Sequence, residues 1–178
     1  MPDKIAQHLQ HEVLVGGVSN AFFNGVIAWL LLRGGASLSW QGPHSFVGDI
    51  FATAFILPLI VAFIVIPLQR SKLASGKLPV MRLDRDSRLQ ALVDRMPAST
   101  WRSALVFGLT GTCLFAPLGL LALLAGGVHE ITPAAYAIFK GAWTGVMAGA
   151  LVVPMVLLAL RERAEKEQRP VANLLRKG

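Results

Sequence analysis

The sequence predicts an all-α membrane protein with four transmembrane helices, arranged as two tandem hairpins of the same orientation. Three observations predict it. Apolar runs over 13–32, 50–68, 103–125 and 136–160 are each long enough to cross a hydrocarbon core of about 30 Å. Charged residues make up only 15% of the chain and lie in blocks between those runs, against roughly a quarter in soluble domains. Of the 17 Lys and Arg residues, 15 fall in segments that an even number of crossings puts on one side.

The first run follows a polar stretch, 1–12, and is longer than the apolar part of a cleaved signal, so it reads as an uncleaved span. Arg33, Gly34 and Gly35 close it. The second run stops at Gln69 and Arg70, the third at Gly126 and Gly127, the fourth at Arg161. Backbone groups in lipid must bond to one another, so runs of this length are helices. The chain divides as one membrane domain: 1–12 an inner interfacial helix, 13–70 the first hairpin, 71–102 a basic segment, 103–160 the second hairpin, 161–178 a tail. Inside loops collect Lys and Arg, which places both termini and 71–102 in the cytoplasm. Only Arg33 and Lys140 remain for the outer edges. Trp29, Trp40, Tyr136 and Trp143 sit near the expected outer boundary and Trp101 near the inner one, the headgroup levels that Trp and Tyr favour.

Within 71–102, Leu89, Leu92, Val93 and Met96 are spaced i, i+3, i+4, i+7, a short amphipathic helix with Asp86 as its cap. Arg82, Arg85, Arg88 and Arg95 surround it, which suits anionic lipid at the cytoplasmic face or a docked partner. The net charge of +7 follows from the inside loops, so no nucleic-acid partner is expected. Cys113 is the one cysteine, which excludes an intrachain disulfide. His8, His11 and Glu12 read H-x-x-H-E, not the H-E-x-x-H of zinc proteases. No cofactor, metal site or catalytic group is expected, and the chain does not read as an enzyme.

The sequence repeats weakly with a period of 91–92 residues. Gly16 falls on Gly108, Phe23 on Phe115, Gly34-Gly35 on Gly126-Gly127, Asp49 on Lys140, Thr53 on Thr144 and Arg70 on Arg161. Each unit is one hairpin that returns the chain to its starting side, so the units share an orientation. Asp49 and Lys140, at equivalent places on the outer edge, suit an ion pair across the axis between units. Asn20 and Asn24, one turn apart on the first span, need hydrogen-bond partners in lipid. With Thr53 and Thr144 these six residues form the candidate polar path or ion pair. Gly17, Ala21 and Gly25 on the first span and Gly141, Gly145 and Gly149 on the fourth are stripes of small residues at four-residue spacing, suited to close helix packing within the chain or in a homo-oligomer. Pro58, Pro67, Pro117 and Pro154 lie inside spans and predict bends.

The runs N-G-V-I-A-W-L-L-L-R-G (24–34), G-D-I-F-A-T-A-F-I-L-P-L-I (48–60) and I-P-L-Q-R (66–70) resemble small four-helix bacterial inner-membrane proteins. That resemblance implies a bacterial inner-membrane location and supplies no site residues. The function expected is a small oligomeric transporter or channel for a solute or ion. The alternative is a non-transport accessory or scaffold subunit of a membrane complex.

Overall fold

The computed structural model describes residues 2–80 and 87–161, with side chains from Ala6 onward. The tail 162–178 and Asp86 lie outside the described residues. Helix α1 spans Pro2–Leu32, α2 Phe46–Ala74, α3 Arg88–Arg95, α4 Thr100–Ala125 and α5 Pro133–Leu160; strands β1 (Leu38–Ser39) and β2 (Glu130–Ile131) lie between them. Helices α1, α2, α4 and α5 are long and apolar enough to cross a membrane. At 1.5 Å per residue they run about 39–47 Å, longer than the apolar runs alone, because α1, α2 and α4 continue into polar sequence and α5 starts at Pro133. The stretch 2–12, expected as a separate interfacial element, is continuous with α1.

Ser45 caps α2 by accepting from the Val47 amide, and Thr132 caps α5 by accepting from Ala135, with Pro133 in the first turn where its missing N–H costs nothing. Ser87 caps α3, taking the place expected for Asp86. Gly127 ends the turn after α4 at φ +66°, a backbone conformation that a side chain would strain.

The helices pack in a row, α1 against α5, α5 against α2, α2 against α4. The two helices of each hairpin are thus not each other's main neighbours. Contacts between 17 and 145 and between 25 and 141 make α1 and α5 antiparallel; 54 with 111 and 55 with 108 do the same for α2 and α4. The central pair, α2 and α5, runs parallel, with Phe46 stacked on Tyr136. At the end where α2 and α5 begin, β1 and β2 pair antiparallel, Leu38 with Ile131 and Ser39 with Glu130. This is the ribbon end; the opposite one, which carries α3, is the basic end.

Both outer seams are set by small residues. A Cβ built on Gly141 would stand 2.8 Å from the Ala21 carbonyl oxygen, and one on Gly145 2.9 Å from that of Gly17. Gly25 lies on Ala137 and Gly141, and Gly149 on Val13. The two stripes of small residues therefore meet each other within one chain. On the other seam a Cβ on Gly111 would fall 2.0 Å from the Ala54 carbonyl oxygen, deeper into backbone than at any other glycine. The sequence reading did not single out Gly111, because the spacing of Gly108 and Gly111 does not match the four-residue stripe.

Helix α4 widens to a π-turn over Gly111–Phe115, ahead of Pro117. Proline has no N–H to continue the ladder and its ring crowds the preceding turn, and an enlarged turn accommodates both. Helix α2 passes through Pro58 and Pro67, and α5 through Pro154, without interruption. Helix α3 turns Val93 fully inward and leaves Leu92 58% exposed. Its apolar stripe packs on the end of α5, where Leu157, Leu158 and Leu160 are buried.

Gly111→Ala should lower the stability of the detergent-solubilised protein by about 1–3 kcal/mol, the cost of overpacking a close seam. Gly48→Ala, inside α2 with nothing within 4 Å, should be neutral or stabilising. Thermal unfolding followed by circular dichroism compares them; equal midpoints would show that the α2–α4 seam does not depend on Gly111.

Candidate functional site

The polar residues predicted from sequence separate into two environments. At the ribbon end, Lys140 Nζ on α5 lies 2.7 Å from both carboxylate oxygens of Asp49 on α2. The expected ion pair between these register-equivalent positions is formed. Tyr136, one turn before Lys140, donates its hydroxyl to Asp49 Oδ2. Asp49 thus takes three bonds from α5 while its side chain stays 41% exposed; Lys140 is 14% exposed. Tyr136 is fully buried and is flanked by Phe46 and Phe139, the latter stacked on Trp143. Trp40 packs edge-on against Phe46 and donates Nε1–H to the Val128 carbonyl at 2.6 Å, tying the α1–α2 loop to the α4–α5 loop. Arg33, the other cation at this end, stacks over Trp29 at 5.3 Å.

The sequence pointed to Asp49 and Lys140. Tyr136, Trp40 and Trp143 entered only as boundary markers. Trp143 donates Nε1–H to the Phe115 carbonyl at the end of the π-turn, and Gly119 leaves space for its indole ring.

Asn20 and Asn24 sit in a different place, half-buried on α1. Each donates its amide to its own helix, Asn20 to the Gly16 carbonyl at 2.8 Å and Asn24 to the Asn20 carbonyl at 3.0 Å. Thr144 is fully buried, donates to the Lys140 and Gly141 carbonyls of its own turn, and stands 3.5 Å from the Asn20 carbonyl across the α1–α5 seam. Thr53 is half-buried on α2 and joins none of these bonds. Two grooves between α1 and α5, of roughly 630 and 580 Å³, are lined by apolar and small residues such as Val18, Phe22, Ile138 and Val146, and by none of the six predicted polar residues.

A third polar group lies at the basic end and was not assembled from sequence. His8 and Glu12 on α1 face Gln69 and Lys72 on α2. His8 Nε2 is 3.1 Å from Gln69 Oε1, and Lys72 Nζ is 3.1 Å from Glu12 Oε1. The Gln69 side chain is fully buried, and its Nε2 meets no hydrogen-bond partner among the described residues. Nearby, Arg70 donates to Thr100 Oγ1 and to the Ala98 carbonyl, both at 2.8 Å, and Arg161 donates to the Val93 and Met96 carbonyls at 2.9 and 3.0 Å. The signal in sequence was present but split: His8 and Glu12 one turn apart on one helix, Gln69 and Lys72 three apart on another.

Comparisons with family models, curated proteins and solved structures return no match for this chain.

The Asp49–Lys140 pair should show a coupling of about 1 kcal/mol in a double-mutant cycle of Asp49→Asn and Lys140→Met, the partial exposure of Asp49 keeping it small. Tyr136→Phe should add to the loss from Lys140→Met less than its effect alone, because both bond the same carboxylate. Strict additivity of all three would mean that the contacts are independent.

Proposed function

We propose that this is a multi-pass protein of a bacterial inner membrane, with its basic end in the cytoplasm, acting as a non-transport accessory or scaffold subunit of a membrane complex. The observation that carries the scaffold reading is where the polar groups go. Asn20, Asn24 and Thr144 bond to their own helices, and Asp49, Lys140 and Tyr136 bond to one another. A solute path needs polar groups that face a shared wet space, as intramembrane polar residues in transporters do. The small residues suited to an oligomer interface are used inside the chain. The channel or transporter reading has in its favour the half-exposed carboxylate of Asp49 at the expected outer edge.

Membrane insertion is supported by four helices of spanning length, and orientation by the gathering of Lys and Arg at one end. A duplicated hairpin is supported by the pairing pattern. With an offset of 92, Leu38 corresponds to Glu130 and Ser39 to Ile131, and the ribbon pairs each with the counterpart of the other. With an offset of 91, Asp49 meets its own counterpart Lys140, and the α1–α5 seam corresponds to the α4–α2 seam. Both patterns are those of a two-fold axis along the membrane normal between α2 and α5.

Proteoliposomes carrying the purified chain should be as tight to potassium, sodium and protons as protein-free vesicles. A flux above that baseline, abolished by Asn24→Leu, would replace the scaffold reading with transport. For orientation, Ser75→Cys and Ser37→Cys in a Cys113→Ser background should react with an impermeant maleimide from the cytoplasmic and the external side respectively; the reverse pattern overturns the assignment of the ends.

A further inference from the structure

The basic end holds a groove of roughly 450 Å³ where the start of α1 meets the last turn of α2. We propose that this groove binds a phosphate group, presented by the headgroup of an anionic lipid. Its polar rim is cationic. Lys72 is anchored by Glu12, so its ammonium is held in place with two N–H donors left for a ligand, and its side chain is still 33% exposed. Lys77 is exposed and also lines the groove, at the end of a turn fixed by Gly76 at φ +72° and by the Lys77 amide donating to the Lys72 carbonyl at 3.0 Å. Ser71 adds an exposed hydroxyl, and His8 forms the α1 wall.

Among the described residues no carboxylate lines the groove. Glu12 is not part of the groove lining, is only 16% exposed, and is taken up by Lys72 and His8. Counting the Glu12–Lys72 pair as neutral leaves Lys77 as the net charge among the described lining residues, the right sign and size for one phosphodiester.

The rest of the lining says which carrier fits. Leu68, 49% exposed, and Leu78 make an apolar wall below the cations. A free phosphate has no use for that wall, whereas the glycerol and first acyl carbons of a lipid do. The groove also lies where the apolar run of α2 gives way to Gln69 and Arg70, the depth at which headgroups sit. Basic pockets between helix ends on the cytoplasmic side bind phosphate headgroups in this manner. The inference rests on membrane insertion with the basic end inward, and not on the scaffold role.

Native mass spectrometry of the full chain in detergent tests it, with phosphatidylglycerol, phosphatidylcholine and inorganic phosphate offered separately. The wild type should retain one phosphatidylglycerol in clear preference to phosphatidylcholine. Lys77→Gln should weaken that retention about fivefold, the contribution of one surface cation. Lys72→Arg, which keeps the bond to Glu12, should retain it, and so should Arg88→Gln with Arg95→Gln on α3. Competition by millimolar phosphate supports the anion chemistry and replaces the lipid as its source. Equal retention of the two lipids with no phosphate competition, or equal loss from the α3 pair and from Lys77→Gln, overturns the site. Cysteine labelling that places Ser75 outside sinks the orientation alone and leaves the retention result standing.

Discussion

Helices in lipid gain nothing by hiding apolar side chains from one another, because acyl chains are as apolar as leucine. Association then depends on how closely two backbones can approach, since each atom pair contributes only about 0.1–0.2 kcal/mol and only near contact distance. In this protein that condition is met at two seams. Gly17, Ala21 and Gly25 lie against Gly141 and Gly145, and Gly108 and Gly111 lie against Ala54 and Phe55. The row α1–α5–α2–α4 follows from those two seams and the parallel contact of α2 with α5 that joins them. The apolar stretch of α5, which packs on both α1 and α2, is 67% buried inside the chain, against 6% for α1 at the edge.

Polar groups are arranged within that frame rather than creating it. Inside the apolar lengths, amides and hydroxyls turn back onto carbonyls one turn earlier, as Asn20, Asn24, Thr110 and Thr112 do. Bonds between helices concentrate at the two ends. The ribbon end has Asp49 with Lys140 and Tyr136; the basic end has Glu12 with Lys72, and the two arginines. Ionic contacts cost least near the interfaces, where long side chains reach water, so the distribution follows the medium.

Much of the architecture was legible because it rests on composition. Four apolar runs, their Gly and Arg stops and the small-residue stripes on α1 and α5 are visible without knowing any contact. The Asp49–Lys140 pair was legible because the two opposite charges stand near the starts of α2 and α5, 91 residues apart. The row order was not legible, since hairpins suggest that sequence neighbours pack together and here they do not. The ribbon was missed because two-residue strands in loops leave no alternating pattern. The cluster of His8, Glu12, Gln69 and Lys72 was missed because its members belong to two helices whose rotation about their own axes no periodicity fixes. The π-turn was hidden behind Pro117, whose presence predicts a disturbance without saying which kind.

Arg70, near the end of α2, and Arg161, at the end of α5, both grasp the same short stretch, carbonyls and a hydroxyl between Val93 and Thr100. That stretch is a yoke. The basic ends of α2 and α5 are harnessed to one piece of backbone, so pulling it away releases two helices together, and holding it still immobilises both. Mechanical coupling between the halves of the molecule therefore runs through the loop that joins them as well as through the seam where they touch.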